Sequence, residues 1–158
     1  MKKRNLTTAL VFIPLLTISI MTMISCASTS KATEEKSTTA KKFEKHPEKG
    51  VVYLYRPGRA VGAAASTQIK VNGLDAGGTG PGTFLRWELT PDTYTFSCFS
   101  TESSAVVEIE VKANEHYFLR QDERLGIAGG RVTLVEKDED TGMSGVNKCK
   151  LLVSSYRN

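Results

Sequence analysis

The chain has 158 residues, with 21 Lys+Arg against 17 Asp+Glu and a formal net charge of +4. Three of those positive charges, Lys2, Lys3 and Arg4, sit at the extreme N-terminus, and from Cys26 onward the balance is 18 against 17. Without them there is no cationic surplus, which removes the electrostatic case for a nucleic-acid partner.

The first element is a cationic start followed by an uncharged, mostly apolar run from Leu6 to Ile24, ending at Met23-Ile24-Ser25-Cys26. That order is the pattern of a secretory signal. The last four residues resemble the lipobox of bacterial lipoproteins, with Met23 in place of the usual Leu and Ile24 bulkier than usual. The resemblance implies a signal peptide over 1–25, a diacylglycerol thioether on Cys26 and an acylated new amino terminus, since two or more acyl chains make a stable anchor where one does not. An uncleaved membrane helix, or cleavage nearby with Cys26 incidental, are the alternatives. Ala27, where Asp would favour inner-membrane retention in Gram-negative lipoproteins, implies the outer membrane, with the domain facing the periplasm.

Residues 26–49 are rich in Ser, Thr, Lys and Glu, with Phe43 as the sole aromatic. This composition buries too little apolar surface to offset ordering entropy, which predicts a flexible tether. As a random coil it would reach on the order of 25–30 Å.

From Gly50 the texture changes, and residues 50–158 read as one domain. "VVYLYR" is a β-branched and aromatic strand stopped by Pro57-Gly58. Asn72-Gly73 between two extended runs predicts a hairpin with a type I′ turn. In "TFLRWEL" the alternation sends Leu85, Trp87 and Leu89 one way, and Phe84, Arg86 and Glu88 the other. "TYTFSCF", "SAVVEIEV", "HYFLRQ", "RVTLVE" and "CKLLVSS" supply further strands. "KDEDTGMSGVNK" could hold one helical turn, against which its two glycines argue, and its "DEDTG" reads as a solvated acidic turn. The predicted fold is all-β: a single antiparallel sandwich of about 7–8 strands.

With Cys26 lipidated, Cys98 and Cys149 remain, each on the core-facing side of its strand. In an exported chain an even remainder suggests a disulfide, worth about 2–4 kcal/mol; two separate buried thiols are the alternative. No nucleophile, base and oxyanion donor assemble in the sequence, so no catalytic residue is assigned. His46 and His116 lack partners at metal-ligand spacing, and no metal or cofactor is expected; His116 reads as a half-exposed strand residue. Tyr53, Tyr55, Arg56 and Arg59 form an Arg-aromatic patch suited to recognition, with Trp87 a further stacking candidate. The alternative is that both tyrosines fill one sheet face while Arg56 caps a strand end.

The order of a lipobox, a stalk, "VVYLYRP", "IKVNG" and "FLRWELTPDTYTFSC" resembles an uncharacterised bacterial lipoprotein family, a domain of unknown function opening with a Y-x-Y-R-P strand. It is also similar to PEGA-like sandwiches through Leu89, Pro91, Tyr94 and Thr95, with Asp92 where glycine is usual. The resemblance implies an immunoglobulin-like or prealbumin-like β-sandwich in the cell envelope and no catalytic motif. The reading is a non-catalytic protein-binding or scaffolding module, anchored to membrane lipid through Cys26 and meeting an envelope protein. A binder of small ligands or glycans is the second reading.

Overall fold

The computed structural model describes residues 29–58, 66–127 and 129–157. The signal segment, Cys26 and Arg59 lie outside them. The described elements are α1 (Glu34–Ala40), β1 (Gly50–Arg56), β2 (Thr67–Val71), β3 (Leu74–Thr79), β4 (Thr83–Leu89), β5 (Asp92–Phe99), β6 (Ser104–Val111), β7 (His116–Leu125), β8 (Gly130–Lys137), α2 (Glu139–Asn147) and β9 (Lys150–Leu151). They build an all-β sandwich of two sheets, ordered β8-β7-β1-β4-β9 and β3-β2-β5-β6. Most pairings are antiparallel, but β1 runs parallel to β7 and β4 parallel to β9, so the larger sheet is mixed.

Local chemistry accounts for the strands. Asn72 and Gly73 both take positive φ, 49° and 79°, as a type I′ turn demands, and join β2 to β3. Leu85, Trp87 and Leu89 face the second sheet, where Ile69, Val71, Tyr94, Phe96, Ile109 and Val111 complete the inter-sheet core.

The opposite face of the larger sheet is also buried. Val51, Tyr53, Tyr55, Phe84 and Phe118 form a second apolar layer with Ala40, Val146 and Cys149. Every residue of β1 is therefore buried, as in sheets covered on both sides.

What covers this layer differs from expectation. Residues 29–49 do not form a free stalk, because Thr33 caps α1 by accepting from the Lys36 N–H and the helix buries Ser37 and Ala40. Phe43, held at φ 52°, sets its ring 5.4 Å from that of Tyr53 and 6.0 Å from that of Phe118. One aromatic and one short helix supply the burial that composition alone does not register.

The acidic turn at 138–142 is instead the start of α2. Asp138 accepts from the Thr141 N–H at 2.9 Å, and Glu139 and Asp140 occupy the first turn, where the helix dipole favours negative charge. The glycines expected to break this helix are what lets it dock. A Cβ on Gly142 would lie 2.1 Å from Phe118 Cγ, and one on Gly145 2.2 Å from Tyr55 Cε2.

Cys98 and Cys149 are both buried and both free. The expected disulfide is absent for a topological reason: Cys98 belongs to the inter-sheet core and Cys149 to the outer layer. Alternation along β5 sends Cys98 inward, whereas Cys149 lies in the bend before β9, outside any strand, and is buried in the layer on the other face of the larger sheet. Burial pushes each thiol up to about 11. Native protein at pH 8 should resist alkylation, and both thiols should react in denaturant without reductant; a thiol count of zero there would restore the bridge. The same shifts give an alkaline signature. The unfolded thiols ionise near 9 while the folded ones hold their protons to about 11, so stability falls as pH rises through that window.

Candidate functional site

The described residues of the Arg-aromatic patch do not share a surface. Tyr53 and Tyr55 point into the outer layer beneath the helices, while Arg56 and Trp87 point between the sheets. Trp87 donates from Nε1 to Ser154 Oγ at 2.8 Å and is tilted against Phe96 at 5.7 Å. Its indole closes a core rather than offering a stacking platform.

Arg56 anchors a buried polar network at one end of the inter-sheet core. Its guanidinium pairs with Glu123, donates to Thr67 Oγ1 at 3.2 Å and donates to the Thr79 carbonyl at 3.1 Å. Thr79 donates in turn to Gln121 Oε1. The side chains of Arg56 and Glu123 are only 3% and 6% exposed. Burial lowers the Arg56 pKa, and the Glu123 carboxylate opposes that shift. The Gln121 amide nitrogen is buried with no hydrogen-bond partner. Sequence alternation could have found this set, because Arg56 follows Val52 and Leu54 on the inward side of β1.

Among the described residues, a groove of about 780 Å³ lies on the outer face, between α1, the 44–47 segment and residues 151–153. Arg86 and Glu88 reach it because they are the outward residues of β4, opposite Leu85 and Trp87. Arg86 donates from Nε to Tyr53 Oη at 3.3 Å and pairs with Glu88 at 2.8 Å. Burial pulls the Arg86 pKa down, but the Tyr53 hydroxyl and Glu88 outweigh it and the net shift is upward. Tyr53 donates to the Ala40 carbonyl at 3.1 Å, tying the groove floor to α1. Desolvation raises the Tyr53 pKa, against the pull of Arg86. Glu35, Lys36, Glu44 and Lys45 line the walls with both signs of charge.

His116 is more buried than a half-exposed strand residue. Its side chain is 2% exposed, with Nδ1 2.9 Å from Glu139 Oε1 and its ring edge-on to Tyr53 and Phe118. It pins the start of α2 to β7. His46, by contrast, borders the groove, with Nδ1 accepting from the Glu48 N–H at 3.2 Å. Among the described residues no group of three or more His, Cys, Asp or Glu is placed to hold a metal ion.

Residues 46–132, more than half of the chain, match the family model described as a protein of unknown function, DUF2846. This chain belongs to the DUF2846 family. It is also similar to an uncharacterized protein of Haemophilus influenzae, with 28% identity over 131 residues that cover 82% of this chain and 77% of that protein. The DUF2846 match spans β1 to β7 and enters β8, so it contains Arg56, Thr67, Thr79, Gln121 and Glu123 entire. Of the groove it contains His46, Pro47, Arg86 and Glu88, while the α1 wall and residues 151–153 lie beyond it.

Proposed function

We propose that this DUF2846 protein is a lipid-anchored module of the cell envelope, held through Cys26, whose groove over Arg86 receives a segment of another envelope protein. The observation that carries the reading is the groove itself. A trough lined by Leu151 and Leu152 and walled by carboxylates and ammonium groups of both signs suits a polypeptide, which presents side chains of every class. The anchor is supported by the sequence from Met1 to Cys26, and the outer membrane by Ala27.

The test is in-cell crosslinking with mass spectrometry on the native protein, Cys26→Ala and the groove variant Lys36→Glu/Lys45→Glu. The expected result is a discrete partner set, lost in both variants. Crosslinks unchanged by the groove substitutions would remove the groove from the account. The groove volume also lies within the range of small-molecule sites. That favours the glycan or small-ligand reading if an envelope metabolite raises the melting temperature of the native protein but not of the groove variant.

A further inference from the structure

Thr29, three residues after Cys26, is already part of the domain. Its hydroxyl accepts from the Gly78 N–H. It also fills the space over Gly77, where φ is +105° and a Cβ would come within 2.7 Å of Thr29 Oγ1. The next residues continue the attachment. The Val153 N–H donates to the Ser30 carbonyl at 2.8 Å, and the Ala32 N–H to the Leu151 carbonyl at 2.9 Å.

From Cys26 to Thr29 a fully extended backbone spans at most about 10 Å. Resting on the lipid-anchor reading above, we infer that the edge formed by β3, residues 29–31 and residues 152–155 lies against the bilayer surface, with no stalk between. The exposed apolar side chains Leu74 and Val153, 63% and 52% accessible, belong to this edge. A headgroup–acyl boundary is where such side chains gain most from leaving water. Lys31 and Arg157, both exposed, flank it with positive charge that anionic headgroups attract.

Sheet order then fixes what faces away. β6 is three strands from β3 in one sheet, and β8 is four strands from β9 in the other. At about 4.8 Å per strand the far edge stands roughly 15–20 Å further from the lipid. The groove shares Val153 with the membrane-facing edge, so a segment that enters it comes from a protein at the same membrane.

The orientation is read with a nitroxide label at Ser155→Cys, on the near edge, or at Thr133→Cys, on β8. Both positions are exposed, whereas Cys98 and Cys149 are buried and do not compete for label. Full-length protein extracted from membranes is reconstituted into phosphatidylethanolamine–phosphatidylglycerol vesicles carrying a paramagnetic headgroup chelate, after intact mass confirms the lipid on Cys26. The expected result is several-fold stronger relaxation at 155 than at 133, a difference erased by a long Gly-Ser insertion between Ser28 and Thr29. Equal relaxation on lipid-bearing protein overturns the orientation and leaves the anchor standing. A mass without lipid overturns both.

Discussion

Replacing Gly145 with alanine should destabilise the protein by about 1–3 kcal/mol, the usual cost of overpacking, although alanine is the better helix former by roughly 1 kcal/mol. Position decides which effect wins. The new methyl would sit 2.2 Å from Cε2 and 2.5 Å from Cζ of Tyr55, a side chain 1% exposed between the sheet and α2. Tyr55 has no open side to swing into, so the helix must lift, and the outer layer loses packing along its length. Gly142→Ala should behave alike against Phe118. Ser144→Ala, exposed on the same helix, should be neutral or raise stability by a few tenths of a kcal/mol through propensity alone. Urea midpoints of the three variants separate the terms. A Gly145→Ala protein as stable as the parent would mean that the helix does not rest on the aromatic layer.

The second large effect is expected at Glu123. Glu123→Ala removes the carboxylate paired with the Arg56 guanidinium between the sheets, and loss of one partner of a buried pair costs about 3–5 kcal/mol. The bonds from Arg56 to Thr67 and Thr79 remain, and neutral acceptors stabilise a desolvated cation less than a carboxylate does. The double variant Arg56→Met/Glu123→Leu removes both charges while keeping the volume, and should recover most of the deficit. Chemical denaturation of the single and double variants closes the cycle. A single variant within half a kcal/mol of the parent, as an exposed pair would give, contradicts the burial.

Much of the sandwich was legible because its signals are local. Asn72-Gly73 states its turn in two residues, and the alternation of "TFLRWEL" assigned each side chain of β4 to its face. What stayed hidden depends on a third layer. "VVYLYR" carries the cue in having no polar alternate, which is how a strand buried on both faces reads. The reading in which both tyrosines fill one sheet face holds for Tyr53 and Tyr55; the recognition reading and the single interior given to Cys98 and Cys149 both overlook the second buried face. The covering helices were obscured by composition. Thr33-Glu34-Glu35 and Asp138-Glu139-Asp140 are N-terminal capping patterns, but the first lies in a polar stretch and the second precedes two glycines. Gly142 and Gly145 weaken a helix in isolation and are required once it packs on rings. Of the groove, only the outward setting of Arg86 and Glu88 was readable; its walls come from segments more than a hundred residues apart in the chain.

That separation bears on how the domain is made. Lys31 bridges Leu152, and β9 closes the edge of a sheet whose outer layer begins with α1. The first and last segments of the domain thus form a clasp, and neither can finish its burial until the other arrives. A contact between such distant residues forms late, after its loop-closure entropy has been met. A chain emerging N-terminus first therefore carries Tyr53, Phe84 and Phe118 uncovered until residues 139–152 follow. For a chain exported as proposed above, such a clasp would delay compaction until nearly the whole chain had crossed.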